Sequence, residues 1–160
     1  MGKVEEKLKA MGLELPPPFK EPVGVRVNHV PVKRSGNIFY VSSQGPMWAQ
    51  GVRYRGKIGE DLTREQGYEA ARMCALNTLS MLKDALGDLD HVTNWLKVRG
   101  FINCVSGFTW QSNVMNGYSD LIVELYGDER GRHARTVVGV CALPFGSAVD
   151  AEAVVEIDAD

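Results

Sequence analysis

The segment HARTVVGVCALP, residues 133–144, sets a guanidinium at the start of an apolar run. From Ala134 to Leu143 it is rich in Val, lacks Pro and is closed by Pro144, which predicts a β-strand. Alternation puts Arg135, Val137, Gly139, Cys141 and Leu143 on one face, and Ala134, Thr136, Val138, Val140 and Ala142 on the other. Both faces are apolar or small, which predicts burial on both sides. Arg135 then has two readings. Its head reaches solvent from the strand end, or it sits half-buried at the mouth of a pocket. In the second case it needs an anion, because an unpaired buried charge is costly. Its planar fork fits a carboxylate bidentately, and Gly139 on the same face leaves room for close approach. The anion is either a ligand or a carboxylate of the protein.

Four more positions could take part. Glu156, in VVEIDAD, shares a strand face with Val154, Asp158 and Asp160. It is the obvious protein carboxylate, either at a solvated strand end or orienting water and moving a proton. Ser42, in YVSSQGP, precedes a turn, where serines often only satisfy backbone groups. Asn116 precedes Gly117 inside a predicted helix, and marks a break, a cap or a side chain turned towards a ligand. His29 stands beside a proline strand. The chain carries no GxGxxG, Walker, CxxC, HExxH or GxSxG pattern. His29, His91 and His133 lack metal-ligand spacing. No metal and no redox cofactor is expected.

The elements that must position these residues are readable. Residues 3–11 can form a short helix, stopped by Gly12, and LELPPPFKEPVG must run extended because prolines restrict themselves and their predecessors. Residues 1–23 are thus an N-terminal helix and a Pro-rich arm laid over a single domain spanning 1–160. VRVNHVPVKRSG is a candidate first strand, and Pro31 argues for an edge or a bulge. NIFYVSSQGP is a second strand, and QGVRYRGKIG adds a short strand or hairpin arm. In LTREQGYEAARMCALNTLSMLKDALG, Thr63 and Gln66 have capping-box spacing. Ala71, Cys74, Ala75, Thr78, Leu79, Leu82 and Leu86 form a helical stripe, and Gly87 fits the stop. A strand over HVTNWLKVRGFINCVSG, a helix from about Ser112 to Tyr126, the Arg135 strand and a last strand in AEAVVEIDAD follow. The fold class is α+β, with helices on one face of a sheet. The other face then needs a cover, which points to self-association.

Bulk properties narrow the function. The net charge is −2 with no basic run, which argues against nucleic acid. No apolar segment is long enough to span a bilayer, and the N-terminus lacks a signal-peptide core. Cys74, Cys104 and Cys141 are read as buried reduced thiols in a cytoplasmic protein.

Taken together, RSGNIFYVSSQGP, the Ala-rich helix, VMNGYSDL and above all ARTVVGVCALP followed by VVEID resemble the RidA family, also called YjgF or L-PSP. The likeness covers residues 22–158 and points to a longer-chain branch. It implies a chorismate-mutase-like fold, a mixed sheet with two helices on one face, assembled as a homotrimer with active sites between subunits. It implies cofactor-free hydrolysis of enamines and imines to 2-keto acids and ammonia. By the resemblance, Arg135 grips the substrate carboxylate, Glu156 positions water, and Ser42 and Asn116 line the pocket. Val137 stands where the archetype has cysteine, His29 where tyrosine is usual, and Ser43 replaces a glycine. Two other functions compete: a trimeric module that binds small carboxylates without turnover, and a ribonuclease.

Overall fold

The computed structural model describes residues 2–18, 20, 27–49 and 51–158. Three α-helices, α1 (Lys3–Ala10), α2 (Arg64–Leu86) and α3 (Gln111–Gly131), accompany seven strands: β1 (Val32–Ser35), β2 (Ile38–Gln44), β3 (Met47–Trp48), β4 (Gly51–Val52), β5 (Val92–Asn103), β6 (Ala134–Val140) and β7 (Val149–Ile157). Five strands form one sheet in the order β1-β2-β7-β5-β6, and β3-β4 is a separate short hairpin. The β5–β6 pair is parallel, joined through α3, and the remaining pairs are antiparallel, so the sheet is mixed.

Helix α2 begins where the capping residues require. Thr63 accepts from the Gln66 amide, and the Gln66 side chain accepts from the Thr63 amide. It ends at Gly87, whose φ of 79° closes the last turn. Its stripe packs on β7 and β2, while α3 packs on β5 and β6, so both helices cover one face. Between them lies a core holding Trp95, Tyr118, Leu79, Leu82, Ile102 and Ile122, all essentially solvent-free. Gly117 lies where the helices cross. A Cβ there would meet the Tyr68 carbonyl oxygen at 2.0 Å, so Asn-Gly inside α3 is a packing requirement, not a break. The interruption comes later, at Gly127, with φ 78°.

Helix α1 docks at its N-terminus, where the Asp90 carboxylate accepts from the Lys3 and Val4 amides at 2.8 and 2.9 Å. Those bonds hold the Asp90 carboxyl below its usual range against the opposing effect of burial, the largest single influence. Leu13–Pro18 carries no regular structure and lies on α2, with Ser80 donating to the Pro16 carbonyl. Most of the remaining arm, including 21–26, falls outside the described residues. The first strand begins only at Val32, after Pro31, and it is an edge strand.

Two expectations need correction. Strand β6 is not buried on both sides: it is a sheet edge, and Ala134, Thr136 and Val138 are exposed. A Val-rich run looks the same in sequence whether its cover comes from this chain or from elsewhere. The strand also stops at Val140, so Cys141 lies on a bend and is exposed, while Cys74 and Cys104 are buried; all three are free.

Candidate functional site

Arg135 stands near the start of β6 on the helix-covered side. Its guanidinium is half-buried and meets one stripe of α3. Nη1 donates to Asn116 Oδ1 and to Ser119 Oγ, both at 3.0 Å, and Nη2 donates to the Ser112 carbonyl at 3.3 Å. Residues 112, 116 and 119 fall one turn apart on a helix, so a single α3 face presents all three acceptors. None is charged. No carboxylate among the described residues lies within ion-pair distance of Arg135. A guanidinium carries five N–H donors, so Nε–H and one Nη2–H keep no partner here. Burial pulls the Arg135 pKa down, partly opposed by the field of Asp120. Val137, two residues on, packs half-buried against the core on the same face. Gly139 follows, and its space is already taken: a Cβ there would meet Cys104 Sγ at 3.0 Å and Gln111 Nε2 at 3.2 Å. Beside Asn116 a cleft of about 590 Å³ opens between α2 and α3, where Tyr68 donates to Asp120 at 2.9 Å.

The remaining predicted residues lie across the sheet. Along β7 the odd residues from Val149 to Ile157 are buried under the helices, so Asp150, Glu152, Val154 and Glu156 face the open side. Glu156 is therefore on the opposite face from Arg135, and it is not the anion that Arg135 needs. It accepts from Asn37 Nδ2 at 2.9 Å, opposite Ile38. Nor does it reach Ser42. Ser42 donates to the Val30 carbonyl at 2.7 Å and shares a shallow cavity of about 400 Å³ with His29, Lys33, Tyr40 and Glu152. Here Ser42 does satisfy backbone, yet it also lines a groove. Glu152 is the carboxylate in that groove, and it pairs with Arg99 at 2.9 Å.

The described residues therefore hold two clusters: Arg135 with Asn116 and Val137 under α3, and Ser42 with His29 on the open face. Residues 5–156 match the YjgF/chorismate mutase-like family, whose description names an endoribonuclease. The chain belongs to this family. It is 43% identical over 157 residues to Protein TCP17 of Trypanosoma cruzi, covering 98% of this chain and 96% of that protein. It is 40% identical to a solved structure from Agrobacterium tumefaciens, Atu1372, a protein of unknown function, with TM-score 0.88 and coverage of 97% and 92%. RidA from a Psychrobacter species shares the fold at TM-score 0.57 and 22% identity, over 88% of this chain and 94% of its own.

Within this YjgF frame, the structure adds Glu152, Ser119 and His133 to the surroundings of the two clusters. The Ser112–Asn116–Ser119 spacing was the available signal for Ser119. Glu152 and Glu156 lie on one strand face, and only the pairing of β7 with β2 tells them apart. Among the described residues no cluster of three potential metal ligands forms, and no helix is long and apolar enough to cross a membrane.

Proposed function

We propose that the protein hydrolyses reactive enamines and imines of small carboxylic acids to 2-keto acids and ammonia, in clefts between the subunits of a homotrimer. The observation that carries this reading is Arg135: a half-buried cation fixed by three neutral acceptors, with two N–H groups left over and no carboxylate in reach among the described residues. Such a group is prepared for a ligand's carboxylate. The Ser42–His29–Glu152 groove lies on the sheet face that no helix covers, where Tyr40 and Val138 are 51% and 42% exposed. This reading requires a second copy to bring its own Arg135 cluster to the groove, so that each site draws on two chains.

The chemistry asks little of the protein. Water adds to the C=N carbon, the carbinolamine loses ammonia, and the carbonyl remains. Clamping the carboxylate fixes the reacting carbon beside a positioned water, replacing a bimolecular search. Glu152 takes the water-orienting role in this reading, because it shares the groove with Ser42 and Glu156 does not. No bound cofactor enters any step. RNA cleavage is the weaker reading, because the net charge of −2 gives no general pull on a polyanion and Arg99 on the open face is paired with Glu152.

The test is keto-acid release from 2-iminobutyrate generated in situ. Wild type is expected to accelerate it, and Arg135→Ala to lose roughly 100-fold or more. If intact, assembled wild type gives no acceleration, the protein is a carboxylate-binding module and not a deaminase.

A further inference from the structure

Arg135 does not end at its three acceptors. Ser119 Oγ, which accepts from Arg135 Nη1, also lies 3.0 Å from His133 Nε2, and His133 Nδ1 lies 2.8 Å from the Gly131 carbonyl. Resting on the reading of Arg135 as a carboxylate clamp, we propose that Ser119 and His133 form a relay that sets the donors of Arg135 and couples carboxylate binding there to proton uptake by His133.

Donor and acceptor roles along the chain follow from what each atom can do. A carbonyl only accepts, so His133 Nδ1 must carry hydrogen. In the neutral ring Nε2 is then an acceptor, and Ser119 donates its one hydroxyl hydrogen to it. The Ser119 oxygen meanwhile accepts from Arg135. In this state Ser119 has no hydrogen to offer a ligand. A proton on Nε2 reverses the link: His133 donates to Ser119, whose hydrogen is freed to turn towards the site. It also sets a second positive charge one side chain away from Arg135. Both changes favour a bound carboxylate, so by reciprocity a bound carboxylate favours the proton.

The surroundings hold the unliganded relay in its neutral form. Burial, then the field of Arg135, lowers the His133 pKa, while the Gly131 contact opposes them. The groups facing the ring are few. Arg135 comes from β6. The Tyr118 phenol comes from α3, held neutral because burial drives its pKa far up. The uncharged Trp95 ring comes from β5. The two rings stand 6.5 Å from His133, centre to centre. No carboxylate is hydrogen-bonded to His133 among the described residues. The kink at Gly127 is what returns the chain so that His133 lies over a residue fourteen positions earlier.

The experiment follows the His133 ring protons by NMR in the full chain, with 2-oxobutyrate as the probe. The unliganded midpoint is expected below the ordinary histidine value. With the probe bound it rises by about 0.5 unit or more, and probe affinity tightens about threefold from pH 8 to pH 5.5. Ser119→Ala is expected to remove that coupling. His133→Gln keeps a hydrogen-bonding group without a titration, and its affinity for 2-oxobutyrate should lose the pH dependence that wild type shows. Unfolding curves for both variants confirm that they fold. Binding of 2-oxobutyrate with an unmoved His133 midpoint overturns the relay and leaves the clamp standing. No binding at any pH overturns the clamp, and the relay with it.

Discussion

The α3 side of the sheet and its open side treat charge in opposite ways. Under α3, Arg135 is gripped by uncharged acceptors, so its geometry is fixed while no described carboxylate pairs with it directly. On the open side a charge answers a charge, Arg99 with Glu152. The first region holds its donors in a fixed geometry. The second is balanced but shallow, and no described helix covers it. Preorganised donors without a counter-charge are the mark of a binding group. Paired surface charges contribute little by themselves.

The sharpest way to break this comparison is at the two glutamates. Glu152→Gln is expected to cut imine turnover roughly 100-fold, and Glu156→Gln to stay within about threefold of wild type. Equal losses would return the water-orienting role to Glu156. A second measurement asks whether the two regions meet across subunits. Arg135→Ala and Glu152→Gln proteins, each expected to be inactive, would be unfolded together and refolded as mixed assemblies. Random mixing should restore about one quarter of wild-type activity, because one site in four then joins an intact Arg135 to an intact Glu152. Activity confined to unmixed wild type would show that each site belongs to one chain.

The smallest effect concerns Asp150, on the open side. Burial pushes its pKa up to about 6, and no hydrogen bond to its carboxylate is found among the described residues. The folded state therefore binds the proton more tightly than the unfolded chain. Its contribution is fully present below about pH 4 and is lost as pH rises through about 6. Asp150→Asn should stabilise the fold by ~1–2 kcal/mol at pH 7 and by nothing below about pH 4. Urea titrations at fixed protein concentration check this. A variant less stable at pH 7 would mean that Asp150 has a partner in the assembly.

Much of this arrangement was written in local pattern. Thr63, Gln66 and Gly87 bounded α2 because capping is a short-range matter, and the Ala71–Leu86 stripe named its buried face. Arg135 stood out because a charge in a Val-rich strand demands an explanation. What was hidden depends on pairing. Glu152 and Glu156 share a face under period-two alternation, and their separation along the groove appears only once β7 is registered against β2. The exposure of β6 was hidden because its apolar residues do not say whose atoms will cover them. His133 reaches Ser119 only because Gly127 turns the chain, and a glycine near a helix end does not announce the direction of that turn.

The sheet order carries a consequence for how the molecule is made. Strand β7 lies between β2 and β5, yet it follows all the other described strands in sequence. Until it arrives, the β1–β2 hairpin and the β5–α3–β6 unit share no ladder, and the apolar edges of β2 and β5 stay open. Native structure must then form by late insertion of a central strand, a step dominated by contacts distant along the chain and intrinsically slow. The folding protein is thus exposed to edge-to-edge aggregation until β7 is in place.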